Sequence, residues 1–239
     1  MSATANNLQD VRQRIRRAVD AAQRGEGAVK LIAVTKTFPA SAVLEAVDAG
    51  QFAFGENYVQ EAVGKMREVE GSLLGKPLLP SLEWHYIGPI QSNKTRAIAE
   101  HFDWVHSVDR LKIAERLSDQ RDANRGPLNV LLEVNLDGET TKSGVMPSEL
   151  PELARAVAAL PSVRLRGLMT VPQPRSDAAA QRAVFARLRE LAEELRAAGL
   201  PCDHLSMGMS ADLEAAIAEG ATMVRVGTAI FGARTPRAL

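Results

Sequence analysis

The residue whose type and setting most suggest chemistry is Lys36, in the stretch "KLIAVTKTFP" (30–39) of this 239-residue chain. It directly follows an apolar run and stands three residues before a proline. Of the seven lysines, Lys30 precedes that run, Lys65 and Lys112 fall in helical stretches, and Lys76 falls in a loop rich in breakers. Lys94 and Lys142 follow other strand-like runs, but only Lys36 leaves a strand directly. A lysine fixed by a strand end and partly desolvated loses its proton more readily, and the free amine can attack a carbonyl carbon. The plainer alternatives are a rim lysine with its head in solvent, or a counter-charge for a phosphate. Pro39 is expected in the first turn of the next helix.

A second group lies in "HLSMGMSADLEAAIAEGATMVRVGTAIFGAR" (204–234). Ser210 is the expected N-cap of a helix over 210–219, with Asp212 and Glu214 in the first turn, at the positive end of the helix dipole. Gly227 would let the backbone approach a ligand, and Thr228 adds a hydroxyl beside it. Two neighbouring loops with such groups suit a small anion. No Walker lysine and no acidic pair for Mg²⁺ accompany them, which argues against a nucleotide. Strand alternation puts Met223, Arg225 and Gly227 on one face. An arginine there needs a partner, either a carboxylate across the rim or a ligand acceptor such as a ring nitrogen.

The elements that must position these residues alternate. Strand-like runs at 31–35, 52–55, 84–88, 104–108, 129–135, 163–171, 203–208 and 222–227 are separated by helical patterns at 40–49, 57–70, 92–101, 109–123, 148–159, 177–198 and 210–219. Short apolar strands between helices indicate an α/β fold with a parallel sheet. Eight of them predict a closed (β/α)₈ TIM barrel, and "MSATANNLQDVRQRIRRAVDAAQ" adds a capped amphipathic helix before the first strand. An open doubly wound sheet is the alternative, but "VTKTFP" occupies the place of its Gly-rich turn. The breaker stretches 71–81 and 171–177 are of loop length, so a single domain over 1–239 is expected. In a barrel the strand ends, and with them Lys36 and the 205–232 stretch, share one rim.

Composition narrows the partners. The formal net charge is zero and aromatic residues are 4% of the chain, which disfavours nucleic acid and anionic membranes. One cysteine excludes an internal disulfide, and no apolar run reaches the ~20 residues a membrane span requires. His85, His101, His106 and His204 are scattered in sequence, and no metal site is read from them. A cytoplasmic protein is expected, and without a heptad seam a monomer.

Five stretches in order, "AVTKTFP", "FGENYVQE" (54–61), "WHYIGPIQSNK" (84–94), "GLMTV" (167–171) and "LSMGMSADLEAAIAEGATMVRVGTAIFG" (205–232), resemble the pyridoxal phosphate homeostasis proteins. These are single-domain relatives of the barrel half of bacterial alanine racemase, with the type III fold of pyridoxal 5′-phosphate (PLP) proteins. The resemblance implies PLP as cofactor, held as a Schiff base on Lys36. It implies that Ser210, Gly227, Thr228 and the Met209 backbone hold the phosphate, that Arg225 meets the pyridine nitrogen, and that Asn57, His85 and Met169 line the ring or its entrance. An arginine can only donate to that nitrogen, leaving it unprotonated and the ring a weak electron sink. In the racemases a tyrosine from a second domain of the partner subunit supplies the second base. Here the tyrosines are Tyr58 and Tyr86, and the chain ends at Leu239 without such a domain. A PLP-binding protein without an established reaction is therefore implied, with apo PLP-dependent enzymes as candidate recipients. The alternative is an amino-acid racemase of low activity.

Overall fold

The computed structural model of the chain describes residues 2–74, 81–139 and 141–233. Lys76 and most of the 71–81 stretch lie outside these residues. Eight parallel strands, β1 (Lys30–Val34), β2 (Ala53–Glu56), β3 (Glu83–Tyr86), β4 (Trp104–Val108), β5 (Leu128–Glu133), β6 (Val163–Met169), β7 (His204–Ser206) and β8 (Met223–Val226), pair in sequence order. The barrel closes where β1 pairs β8, with Lys30 beside Met223 and Ala33 beside Val226. Helices α1 (Ala3–Ala21), α2 (Ala40–Asp48), α3 (Val59–Leu73), α4 (Thr95–His101), α5 (Leu111–Asp119), α6 (Leu150–Ala158), α7 (Ala178–Ala197), α8 (Leu213–Ala218) and α9 (Thr228–Phe231) complete it. The expected (β/α)₈ barrel with an additional first helix is what the chain forms.

Period-two alternation divides each strand between two cores. Outward residues such as Leu31, Ala33, Phe54 and Trp84 pack under the helices, where α1 contributes Leu8, Val11, Ile15 and Val19 at three- and four-residue spacing. Inward residues Ile32, Trp104, Leu131, Met169 and Met223 fill the barrel itself. The Ser2 hydroxyl caps α1 by accepting from the Ala5 N–H at 3.2 Å.

Two expectations at helix starts are corrected. Ser210 does not start a helix: Asp212 is the N-cap of α8, which begins at Leu213. Asp212 Oδ1 accepts the Met209 N–H at 2.6 Å, and the Asp212 N–H returns to the Met209 carbonyl at 3.2 Å. That closed turn delays the helix and releases the Ser210 hydroxyl from capping. Pro39 likewise stands one place earlier than expected, as the extended N-cap of α2 (φ −71°, ψ 168°). The short helix α9, absent from the sequence reading, follows Gly227.

Candidate functional site

Lys36 sits two residues past β1, on a turn fixed from below. The Thr35 N–H continues the ladder to the Gly55 carbonyl, and the Phe38 N–H folds back to the Thr35 carbonyl, both at 3.0 Å. Between them Thr37 takes φ +70°, a left-handed conformation that a β-branched residue adopts only under constraint. Its N–H donates to Glu61 Oε1 at 2.6 Å. Beneath the turn, Lys65 of α3 donates to the Thr35 carbonyl at 2.7 Å and to Glu56 Oε1 at 2.6 Å, while the Thr35 hydroxyl donates to the same oxygen at 2.7 Å. Both charged side chains are buried. Burial pushes the Glu56 carboxyl up, and the charge and hydrogen bond of Lys65 oppose that shift. The turn is thus held through an ion pair that water does not reach.

The opposite wall comes from the other end of the chain. Arg14 of α1 donates Nη2 to the Ser210 carbonyl at 3.0 Å and pairs with Glu214 at 2.8 Å, tying the 209–212 turn to the first helix. A Cβ on Gly227 would stand 3.1 Å from the Val34 carbonyl, so a side chain there would crowd the close approach of the β8 exit to β1. Asn7 Nδ2 donates to the Ile230 carbonyl at 2.8 Å and holds α9 in place. Arg225 is buried, donating Nη1 to Ser206 Oγ at 2.7 Å and Nη2 to the Thr170 carbonyl at 2.9 Å. Burial lowers its guanidinium to about 10, the negative Glu133 and Asp212 opposing, so it remains a cation at neutral pH. A third wall is Asn57, whose backbone carbonyl takes the Tyr86 hydroxyl at 3.1 Å. Burial keeps that phenol protonated by raising it to about 12, with Tyr58 adding to the effect. The Asn57 side-chain oxygen is buried without a hydrogen-bond partner.

These walls enclose a cavity of about 330 Å³ lined by Lys36, Asn57, Met209, Ser210, Arg225, Gly227 and Thr228, with apolar surface from Val34, Ile87 and Val171. Two residues expected there are elsewhere. Met169 packs in the barrel interior with Ile32 and Trp104. His85 is fully buried, stacked on Trp104 at 5.7 Å and bonded to His106 and Glu83. The pleat explains both, because these side chains turn into the barrel below the rim. Glu56, Glu61, Lys65, Tyr86 and Ser206, which support these walls, had no role in the expected site. The available signal was Glu56, a carboxylate ending the otherwise apolar strand "AFGE". Among the described residues no group of His, Cys, Asp and Glu could hold a metal ion, and no helix is long and apolar enough to cross a membrane.

Glu133, at the end of β5, adds a titrating group. Burial and, to a lesser extent, Asp109 raise its carboxyl to about 7, and Arg225 opposes them. A carboxyl whose folded value lies above its unfolded one favours the fold at low pH, and that contribution is lost as pH rises from about 4.5 through 7. Glu133→Gln should therefore raise stability more at pH 8 than at pH 5, by up to roughly 3 kcal/mol. Equal gains in chemical denaturation at the two pH values would contradict the assignment.

The family model for the alanine racemase N-terminal domain matches residues 6–235. A pyridoxal phosphate homeostasis protein of Pseudomonas aeruginosa is 61% identical over 98% of this chain and 97% of its own length, and one of Escherichia coli is 53% identical over 98% of each. The chain belongs to the pyridoxal phosphate homeostasis protein family. Another relative, PipY of Synechococcus elongatus, has a solved structure with PLP bound. It is 41% identical, and superposes with a TM-score of 0.81 over 96% of this chain and all of that one. Alanine racemase of Corynebacterium glutamicum, 22% identical with a TM-score of 0.67, shares the fold alone, and this chain spans 62% of its length.

Proposed function

We propose that this protein binds PLP covalently through Lys36 and holds it in reserve, supporting PLP homeostasis in the cytoplasm rather than turning over a substrate. The observation that carries this reading is the meeting, in one cavity, of Lys36 from the end of β1 with Ser210, Gly227 and Thr228 from the ends of β7 and β8. Bound there, PLP would supply an aldehyde that the Lys36 amine could take up with loss of one water. Ser210, Thr228 and the first N–H groups of α9 would hold its phosphate, where helix-start donors have no partner within the helix. Arg225 would face the ring nitrogen. The unpartnered Asn57 oxygen and the Cβ-free approach at Gly227 fit a polar, flat ligand. The name shared by the relatives and the PLP-bound structure of PipY support the same reading. Release to apo PLP-dependent enzymes is the step this reserve would serve.

Racemisation is the second reading, because its fold is shared. It needs a base on each face of the substrate carbon. Neither tyrosine lines the cavity: Tyr58 is largely exposed, and Tyr86 is buried against Phe102. Arg225 as ring partner also favours holding over carbanion chemistry. Borohydride reduction of the PLP-loaded protein should leave a pyridoxyl group on Lys36 by mass spectrometry, absent in Lys36→Ala. An unmodified Lys36 would defeat the binding reading. L-Alanine incubated in D₂O should keep its α-hydrogen, and inversion at enzymic rates, abolished by Lys36→Ala, would defeat the reserve reading.

A further inference from the structure

A line of hydrogen bonds crosses the barrel interior away from the cavity. Arg225 Nη1 donates to Ser206 Oγ at 2.7 Å, and Ser206 Oγ lies 2.8 Å from His106 Nδ1. His106 Nε2 lies 2.9 Å from His85 Nδ1, and His85 Nε2 lies 2.7 Å from Glu83 Oε1. Glu83 opens β3 at the far end of the barrel, where Lys30 donates to the same oxygen at 2.7 Å. Ser206, His106 and His85 are fully buried, whereas Glu83 and Lys30 are partly exposed. Five strands each supply part of this line, so no local motif announces it.

Its direction follows from its two ends. Burial alone would raise Glu83, but the hydrogen bonds from His85 and Lys30 and the charge of Lys30 hold its carboxyl below the usual range, so it only accepts. Burial lowers both His85 and His106, and each imidazole therefore carries a single hydrogen. The charges around them come from Lys30, Glu83, Asp103, Arg225 and His204, and Arg166 lies over Trp104. Since Glu83 accepts, His85 must carry its hydrogen on Nε2 and accept at Nδ1. His106 then carries its hydrogen on Nε2 and accepts at Nδ1. Ser206 must give its hydroxyl hydrogen to His106, which leaves its lone pairs for Arg225. At the other end Arg225 can only donate, so both ends impose the same direction.

We infer that this line is a polarity lock, in which the Glu83 carboxylate on the opposite face of the barrel keeps Ser206 an acceptor toward Arg225, with Ser206, His106 and His85 as positioning residues for that guanidinium. The inference rests on the proposed function only in taking Arg225 to face the ring of bound PLP. A neutral group at position 83 can donate to His85 as well as accept from it. Both imidazoles can then exchange tautomers, and Ser206 would accept from His106 and Arg225 at once, its own hydrogen left without its buried acceptor. One of the two anchors of the guanidinium is then shared and weakened, and the guanidinium shifts relative to the ring.

Long-range ¹H–¹⁵N spectra of the PLP-free protein test the lock without any ligand. His85 and His106 should both appear as neutral Nε2–H tautomers at pH 7 to 8, and an Nδ1–H tautomer or an imidazolium at either position overturns the inference. In the PLP-loaded protein, Glu83→Gln should displace the visible absorption band or its titration midpoint and speed PLP release about threefold or more. Lys30→Met, which removes the ion pair but keeps the carboxylate, should match the parent protein. An unchanged spectrum and release rate in a folded Glu83→Gln protein also overturns the inference. Absence of a pyridoxyl group on Lys36 would defeat the binding reading while leaving the tautomer result standing, so the two failures are distinguishable.

Discussion

Replacing Lys65 with methionine should cost roughly 3–5 kcal/mol of stability and sharply reduce covalent retention of PLP on Lys36. The ammonium of Lys65 is the buried counter-charge of Glu56, whose second oxygen already has no hydrogen-bond partner. Removing it leaves a carboxylate buried with the Thr35 hydroxyl alone, and leaves the Thr35 carbonyl at the root of the Lys36 turn with only the Phe38 N–H. For a chain of this length the loss corresponds to a fall in Tm of roughly 6–20 °C. Glu56 would then favour its neutral form, its folded value lying further above the unfolded one, so the loss should be larger at pH 8 than at pH 5. The double variant Glu56→Gln/Lys65→Met keeps an acceptor for Thr35 and removes both charges. It should recover at least half of the loss in chemical denaturation. A double variant no more stable than Lys65→Met would show that the unpaired charge is not the cause.

The second large effect is expected from a single methyl group. In Gly88→Ala the new Cβ would stand 2.5 Å from the Asn57 carbonyl oxygen and 2.8 Å from its Cα, so the obstruction is backbone rather than a side chain that could turn away. Gly88 cannot easily retreat either, because the Ser107 hydroxyl donates to its carbonyl at 2.5 Å. Relief must come from Asn57, which is bound to Tyr86 and lines the cavity. Overpacking of this kind costs about 1–3 kcal/mol. PLP affinity should fall roughly tenfold, a displacement worth about 1.4 kcal/mol at the ligand. Equilibrium PLP titration reads this directly, and parent-like affinity would remove Asn57 from the binding surface.

The barrel was legible because its signal is carried by many residues at once. Eight apolar runs and the helices between them leave few packings, and an error of one or two residues at a strand end changes none of them. The site was legible where one residue suffices, as for Lys36 at the end of β1 or Gly227 against Val34. It failed where a role depends on a partner brought from another strand. His85 reads as a rim residue until β3 is seen to turn it toward His106. Lys65 reads as an ordinary helical lysine because its counter-charge Glu56 belongs to β2. Ser210 reads as a cap because serine commonly is one, and only the Asp212 turn displaces it.

The pairing of β1 with β8 gives this protein a temporal order. Lys36 leaves the ribosome well before Met209, Ser210, Gly227 and Thr228, which complete its cavity. During synthesis the lysine is therefore an open amine with no pocket behind it, and the seam between first and last strand is the slow, long-range step of folding. A ligand bound across that seam acts as a clasp. Its binding energy is added only after the ring has shut, and opposes the first opening of the ring rather than the unravelling of any one helix.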